Sequence, residues 1–174
     1  LINPRKILIH FKNHISGHVP PKKQKKSPRE KKFRSNKNLI KSLVIRCLIP
    51  KDKVFAFNTV DRLHYMNEKN RDEIGYIDRP SGLILEQTIS APHMHAYAVK
   101  LLSKKLFHNS SVLDVGCGSG YLTAIFGYCV GAHKNAGNVV GIDIYDELVQ
   151  LSIDNIKKAN PELNVYNRIK MVKS

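Results

Sequence analysis

The chemistry of this chain is concentrated in one short turn. Val112-Leu113-Asp114-Val115 runs into Gly116-Cys117-Gly118-Ser119-Gly120, and Tyr121-Leu122-Thr123 follows. A short apolar run that ends on an acid, alternating glycines and then an apolar segment read as a buried parallel strand, a tight turn and a helix start. Glycines allow the backbone to bend sharply and to approach a ligand closely, because no Cβ intrudes. A second apolar run, Asn138-Val139-Val140-Gly141-Ile142-Asp143, ends in another acid. A carboxylate at the tip of the next strand, beside such a turn, accepts hydrogen bonds from both hydroxyls of a ribose. The pair of motifs therefore predicts a nucleoside-containing cofactor.

The glycine spacing narrows the choice. A dinucleotide fingerprint, G-x-G-x-x-G, places its third glycine after an intervening pair and seats pyrophosphate on the helix N-terminus. Here the third glycine comes one residue early, at Gly120, and the pattern is D-x-G-x-G-x-G from Asp114. This resembles the first motif of the S-adenosylmethionine-dependent methyltransferases. Their ligand carries a sulfonium and an amino acid, so an acid near the loop is favourable. The resemblance implies cofactor contacts at Asp114, Gly116, Gly118, Gly120, Asp143 and Ile144.

A second string is Gln87-Thr88-Ile89-Ser90-Ala91-Pro92-His93-Met94-His95-Ala96. It reads as a polar turn feeding a helix, with Ser90 as cap and Pro92 in the first turn. Residues i and i+2 of a helix diverge, so His93 and His95 do not form a metal pair, and no metal site is expected. Taken alone, the two histidines read as packing or backbone-bonding groups. With Val54-Phe55-Ala56-Phe57 and Asp61-Arg62-Leu63-His64-Tyr65 upstream, the string resembles the protein-L-isoaspartate (D-aspartate) O-methyltransferases, over about residues 38–173. The resemblance implies Ser90 as the active-site serine. It also implies Gln87, Thr88, Ile89, Ser90 and His95 at the cofactor and substrate cleft. The family's later strands and its C-terminal tail have no counterpart here.

What the resemblance implies can be written as chemistry. The methyl donor is S-adenosyl-L-methionine and the product S-adenosyl-L-homocysteine. The acceptor is the free α-carboxyl of an L-isoaspartyl or D-aspartyl residue in a damaged protein or peptide. A carboxylate is ionised at neutral pH and needs no strong base to attack. Catalysis then rests on alignment and exclusion of water. A serine hydroxyl fits that task as the partner that orients the carboxylate. Esterification turns the carboxyl into a leaving group, and succinimide formation with hydrolysis returns some normal aspartate.

The elements around these motifs follow from periodicity and punctuation. Leu39, Ile40, Leu43, Val44 and Cys47 lie on one helical face, and Pro50 ends that helix. Asp52 is a candidate cap for a second short helix with Val54, Phe55, Phe57 and Val60. Residues 66–83 read as loop. A helix from Ser90 to about Leu106 would turn Met94, Tyr97, Ala98, Leu101 and Leu102 inward. Strands at 111–116, 138–143 and about 168–172 alternate with helices at 119–130 and 145–158. That alternation predicts an α/β, Rossmann-like fold with a doubly wound, mostly parallel sheet. The chain stops just after the third strand, so the expected sheet is incomplete at its C-terminal side, with an unpaired edge on its first strand.

Composition bounds the rest. The chain has 174 residues, 42% of them hydrophobic, and opens on Leu1. That first residue leaves the natural start, and any targeting segment before it, open. No apolar run is long enough to span a membrane. Three cysteines, Cys47, Cys117 and Cys129, at no metal-like spacing suit a reducing compartment, here the cytoplasm. Residues 1–37 carry 12 Lys/Arg against one acid, Glu30, and hold +11 of the net charge of +15. They read as a disordered basic extension to a methyltransferase domain at 38–174. Nucleic acid could be met only through that arm, and the domain is expected to act as a monomer. A nucleic-acid methyltransferase and an inactive fragment that keeps the fold are the competing readings.

Overall fold

The computed structural model describes residues 6–10 and 35–174. Their elements, in chain order, are β1 (Lys6–His10), α1 (Asn36–Ile45), α2 (Val54–Thr59), α3 (Glu68–Ile74), β2 (Ser81–Gly82), β3 (Thr88–Ile89), α4 (Pro92–Leu102), β4 (Ser111–Val115), α5 (Tyr121–Val130), β5 (Asn138–Asp143), α6 (Asp146–Ala159) and β6 (Ile169–Lys173). The main sheet is parallel throughout, in the order β1-β4-β5-β6. Helices α5 and α6 touch each other and both lie against β5, so the two crossovers use one face. On that face Val112, Val139 and Ile169 are buried against α5, which is buried almost all round. A helix this apolar belongs inside a core.

Several expectations change against this structure. The edge of β4 expected to be unpaired is occupied by β1, with Ile7 opposite Val112 and Leu8 opposite Leu113. The run Ile7-Leu8-Ile9, too short to assign from sequence, supplies a strand from within the expected extension. The rest of that arm up to Arg34, residues 1–5 and 11–34, lies outside the described residues. Residues 66–83 are not all loop: α3 forms there, started by the Asn67 side chain, which accepts from the Lys69 N–H at 3.1 Å. Asp52 caps nothing. It pairs with Lys53 Nζ at 2.9 Å inside a 3-10 turn, Lys51–Lys53.

Ser90 is likewise not the cap of α4. Ala91 holds that position, without a side-chain bond, and Pro92 opens the helix. The helix ends at Leu102, and its buried residues are Pro92, His95, Ala96, Ala98 and Val99, so Ala98 turns inward as expected while Met94 is exposed. Tyr97 and Leu101, expected inward, are 48% and 67% exposed. The segment is apolar on more than one face, so periodicity alone could not choose between them.

The N-terminal helices are tied down by side-chain bonds to backbone. Asn36 Nδ2 donates to the Phe57 carbonyl at 3.0 Å and joins α1 to α2. Lys53 Nζ donates to the Leu106 carbonyl at 2.5 Å and joins the 3-10 turn to the segment before β4. All three cysteines are free. No helix among the described residues is long and apolar enough to cross a membrane.

Gly137 marks where β5 leaves α5. A Cβ there would lie 2.4 Å from the Ser110 carbonyl oxygen and 2.6 Å from that of Val130. Both are backbone atoms and cannot swing away. Gly137→Ala should therefore destabilise the fold by about 1–3 kcal/mol. Urea titration of both proteins checks this; an unchanged midpoint would show that the backbone there has room to give.

Candidate active site

The glycine turn is fastened to the strand beside it. The N–H groups of Gly116 and Cys117 both donate to the Ile142 carbonyl, at 2.9 and 3.0 Å. The N–H of Gly118 donates to Asp143 Oδ2 at 3.0 Å. From the other side, Asn155 Nδ2 on α6 donates to the Ser119 carbonyl at 3.0 Å. Gly118 and Gly120 sit at φ of +54° and +82°, where a side chain would be strained. Gly120 is the N-cap of α5 and offers no side chain, so α5 begins with its N–H groups open toward the turn.

Asp143 uses both carboxylate oxygens on backbone. Oδ2 holds Gly118, while Oδ1 accepts from the N–H groups of Ile144 at 2.8 Å and Tyr145 at 3.4 Å. Ile144 itself is 65% exposed at the rim beside it. Asp114 is buried beneath the turn, and its Oδ2 accepts from Thr123 Oγ1 at 2.6 Å. Burial pushes its carboxyl up to about 6; the Thr123 bond opposes this and the nearby Asp143 charge adds to it. The Cys117 thiol is pushed up to about 12, chiefly by burial, so it is no nucleophile at neutral pH.

The second string meets this turn across a narrow cleft. Thr88, Ile89 and Ser90 line it with His95, Asp114, Gly116 and Gly118. Of the other expected residues, Gly120 lies at the head of α5, Asp143 and Ile144 at the tip of β5, and Gln87 in the loop between β2 and β3. None of these four lines the cleft. Met94, Cys117, Ser119, Tyr121 and Leu122 do, and were not singled out from sequence. Tyr121 had a signal: it is the first helical residue after the last glycine. The cleft encloses about 40 Å³, well short of the ~300 Å³ at the small end of ligand pockets. Leu83 of the β2–β3 loop approaches the turn, 3.7 Å from where a Cβ on Gly118 would stand.

The wall behind the cleft is aromatic and charged. His95 packs edge-on against Tyr121, with ring centroids 5.0 Å apart, and Tyr65 meets Tyr121 at 5.6 Å. Burial lowers the His95 imidazole well below its ordinary value, helped by the charges of Arg62 and His93, so the ring is neutral. Its Nδ1 is buried without a hydrogen-bond partner. His93, two residues away, points elsewhere. Asp78 Oδ1 accepts from both its backbone N–H and its Nδ1, each at 2.8 Å, while Arg46 donates to Oδ2 at 2.6 Å. The two imidazoles thus diverge as helix geometry requires. Among the described residues no cluster of His, Cys, Asp or Glu could hold a metal ion.

A parallel sheet with a D-x-G-x-G-x-G turn at the tip of β4 and an acid at the tip of β5 defines a Rossmann-like S-adenosylmethionine-dependent methyltransferase fold. Within that class, residues 34–172 match the family model described as Protein-L-isoaspartate(D-aspartate) O-methyltransferase, and the chain belongs to this family. It is 38% identical over 123 residues to Protein-L-isoaspartate O-methyltransferase 1 of Arabidopsis thaliana, covering 70% of this chain and 51% of that one. A Triticum aestivum relative is 37% identical over 131 residues, 75% of this chain and 54% of its own. Among solved structures, a Plasmodium falciparum protein assigned to the same activity, in complex with S-adenosyl-L-homocysteine, superposes with a TM-score of 0.72 at 35% identity. The match covers 80% of this chain and 62% of that one. The chain thus spans about half the length of these curated relatives.

The raised Asp114 carboxyl predicts a pH dependence. Below about pH 3.8 the acid is protonated both folded and unfolded, and its burial carries no ionic penalty. Between 3.8 and about 6 the unfolded chain gives up the proton while the folded chain keeps it, so stability falls as pH rises. Above that range the penalty is complete, on the order of 3 kcal/mol for a shift of this size. Asp114→Asn should therefore be more stable than the parent at pH 7.5, with the gap closing by pH 4. Urea titrations across that range check it; a gap that ignores pH would remove ionisation as its source.

Proposed function

We propose that this protein transfers a methyl group from S-adenosyl-L-methionine to the free α-carboxyl of L-isoaspartyl and D-aspartyl residues in damaged proteins. The observation that carries the reading is the cleft itself, where the Thr88–Ser90 segment, β3 and the residue after it, faces the glycine turn. The residues suit the cofactor. Gly118 leaves open the space that a Cβ would fill, and His95 offers a buried, unpartnered nitrogen. When bound, the cofactor supplies an electrophilic methyl group on a sulfonium.

The chain's own groups have separate tasks in this reading. The turn at Gly116, Gly118 and Gly120 lets a ligand lie against bare backbone. Asp143 holds that turn and meets the ribose, while Ile144 offers an apolar ledge for the base. Asp114 and the 87–89 segment bound the cofactor's amino-acid end with His95. Ser90 orients the acceptor carboxylate. With its pKa lowered by burial, His95 is neutral and brings no charge to the cleft. The β2–β3 loop, with Leu83 against the turn, excludes water once closed.

In the same reading the enzyme works as a monomer in the cytoplasm, which its free cysteines support. The basic segment 1–37 stands outside the chemistry apart from the strand it lends, and is where a polyanion such as nucleic acid would be met.

Ser90→Ala tests the assignment. Turnover on an isoaspartyl peptide should fall by about tenfold or more, the loss of one transition-state hydrogen bond of about 1.4 kcal/mol. The Kd for S-adenosyl-L-homocysteine should stay within a few-fold, since the turn carries that contact. The assay is methyl transfer to matched isoaspartyl and aspartyl peptides. Full activity in the alanine variant removes the role of Ser90, and equal turnover of both peptides by the parent removes the substrate assignment.

A further inference from the structure

Arg62 is the one large charged side chain sealed inside this protein's site wall. It is fully buried, yet among the described residues it forms no ion pair. Its Nε and Nη1 have no hydrogen-bond partner, and Nη2 reaches only the Arg79 carbonyl, at 3.4 Å. The carboxylate of Asp78 is committed to Arg46 and His93. That of Asp61 is committed to the Leu63 N–H and the Tyr76 hydroxyl. Arg62 stacks instead behind Tyr121, its guanidinium carbon 5.6 Å from the ring centroid, and the other neighbours of that ring are His95 and Tyr65. Tyr121 and His95 both line the cleft.

A guanidinium in this state is costly. Burial pulls its pKa down to about 10, although it stays charged at neutral pH. A buried charge without a partner destabilises a fold, and an apolar residue of similar length is better tolerated. The neighbourhood repeats the pattern. Buried Ser81 Oγ, two residues beyond the carbonyl that Nη2 reaches, and His95 Nδ1 also lack partners. Of these groups, Arg62 and His95 adjoin the same Tyr121 ring, which itself lines the cleft.

We propose that Arg62 is a positioning residue whose unneutralised charge, acting through the Tyr121–His95 wall, draws a carboxylate into the cleft. This rests on the functional reading above, in which two carboxylates enter: that of the methyl acceptor and that of the cofactor's amino-acid end. Arg62 touches neither. The nearest opposing charge is Asp78, which is already shared with Arg46 and His93, so part of the Arg62 charge is left to act on the cleft. Burial keeps the cation from pairing with solvent anions and preserves it for the ligand. Tyr121 transmits position as well, because its ring contacts both the guanidinium and His95.

The test compares Arg62→Met and Arg62→Lys with the parent polypeptide. Four quantities are read: KM and kcat on an isoaspartyl peptide, Kd for S-adenosyl-L-homocysteine, and Tm. For Arg62→Met the expectation is a Tm unchanged or raised and a carboxylate-dependent affinity weakened by about tenfold. If the acceptor's carboxylate is the one drawn, KM rises while the Kd for S-adenosyl-L-homocysteine holds. If it is the cofactor's, that Kd rises. Arg62→Lys, which keeps the charge, should recover most of the affinity. A Met variant that loses its fold, or that keeps both affinities, overturns the proposal, as does a Lys variant no better than Met. A parent with no turnover on isoaspartyl peptide defeats the functional reading itself, a result separable from any change between variants.

Discussion

The site depends on a single charge-assisted contact: Asp143 Oδ2 accepting the N–H of Gly118. A turn with three glycines in the left-handed region has little conformational preference of its own. Something outside must fix it. The tip of β5 does so, with the Ile142 carbonyl taking two of the turn's N–H groups and Asp143 a third. The register between β4 and β5 then becomes a functional quantity. Val115 pairs with Ile142, which puts the acid just past the point where β4 bends away. A slip of one residue would turn Asp143 to the other face of the sheet and release the turn.

The opposite wall is built by other means. It has no long strand of its own, and β2 and β3 are two residues each. Its order comes from side-chain bonds that reach across the fold. The Tyr65 hydroxyl donates to Asn160 Oδ1 at 2.6 Å, and Asn160 Nδ2 donates to the Tyr128 hydroxyl at 3.0 Å, which in turn donates to Glu162. This buried chain pins the 62–65 turn to the end of α6, and so sets Tyr65 against Tyr121. On the outer side, Asp78 gathers Arg46, the first turn of α4 and the His93 ring. The two networks hold the same wall from inside and outside, and Arg62 lies in the wall between them. Polar chains of this kind specify one arrangement when every member is bonded, so the unbonded groups beside them stand out.

The sequence made half of this site legible. β4, the turn, α5, β5 and Asp143 could be read because strand, glycine and helix signals there agree, and each is local. The Thr88–Ser90 segment was legible only through resemblance, and its physical reading as a helix cap was mistaken. Ser90 lies one residue too early, and Ala91 with Pro92 starts the helix without a side-chain bond. Helix α3 was missed because its residues are polar, with Asn67, Asn70 and Gly75 among and beside them. Such signals favour loop until a cap and a neighbouring strand tip the balance. Arg62 was not legible at all. A charged residue beside Asp61 reads as a surface position, and only the packing around Tyr121 reveals that it is enclosed.

The contrast between the walls has a consequence for how the protein can vary. The glycine-turn side is fixed by backbone bonds, so a change in most of its side chains leaves the cofactor's bed in place. The 62–95 side is fixed by side chains, so each of Asp78, Asn160 and Tyr65 is individually costly to replace. Between those anchors, the β2–β3 loop is held chiefly by its own turn, in which the Leu83 N–H donates to the Gln87 carbonyl at 2.7 Å. Its tip puts Ile84 and Leu85 in solvent, with Leu85 and Glu86 both at positive φ. Leu83, at the stem of the loop, packs against the core, so only the tip meets solvent. The glycine turn therefore tolerates substitution better than the wall it faces, whose order rests on individual side chains.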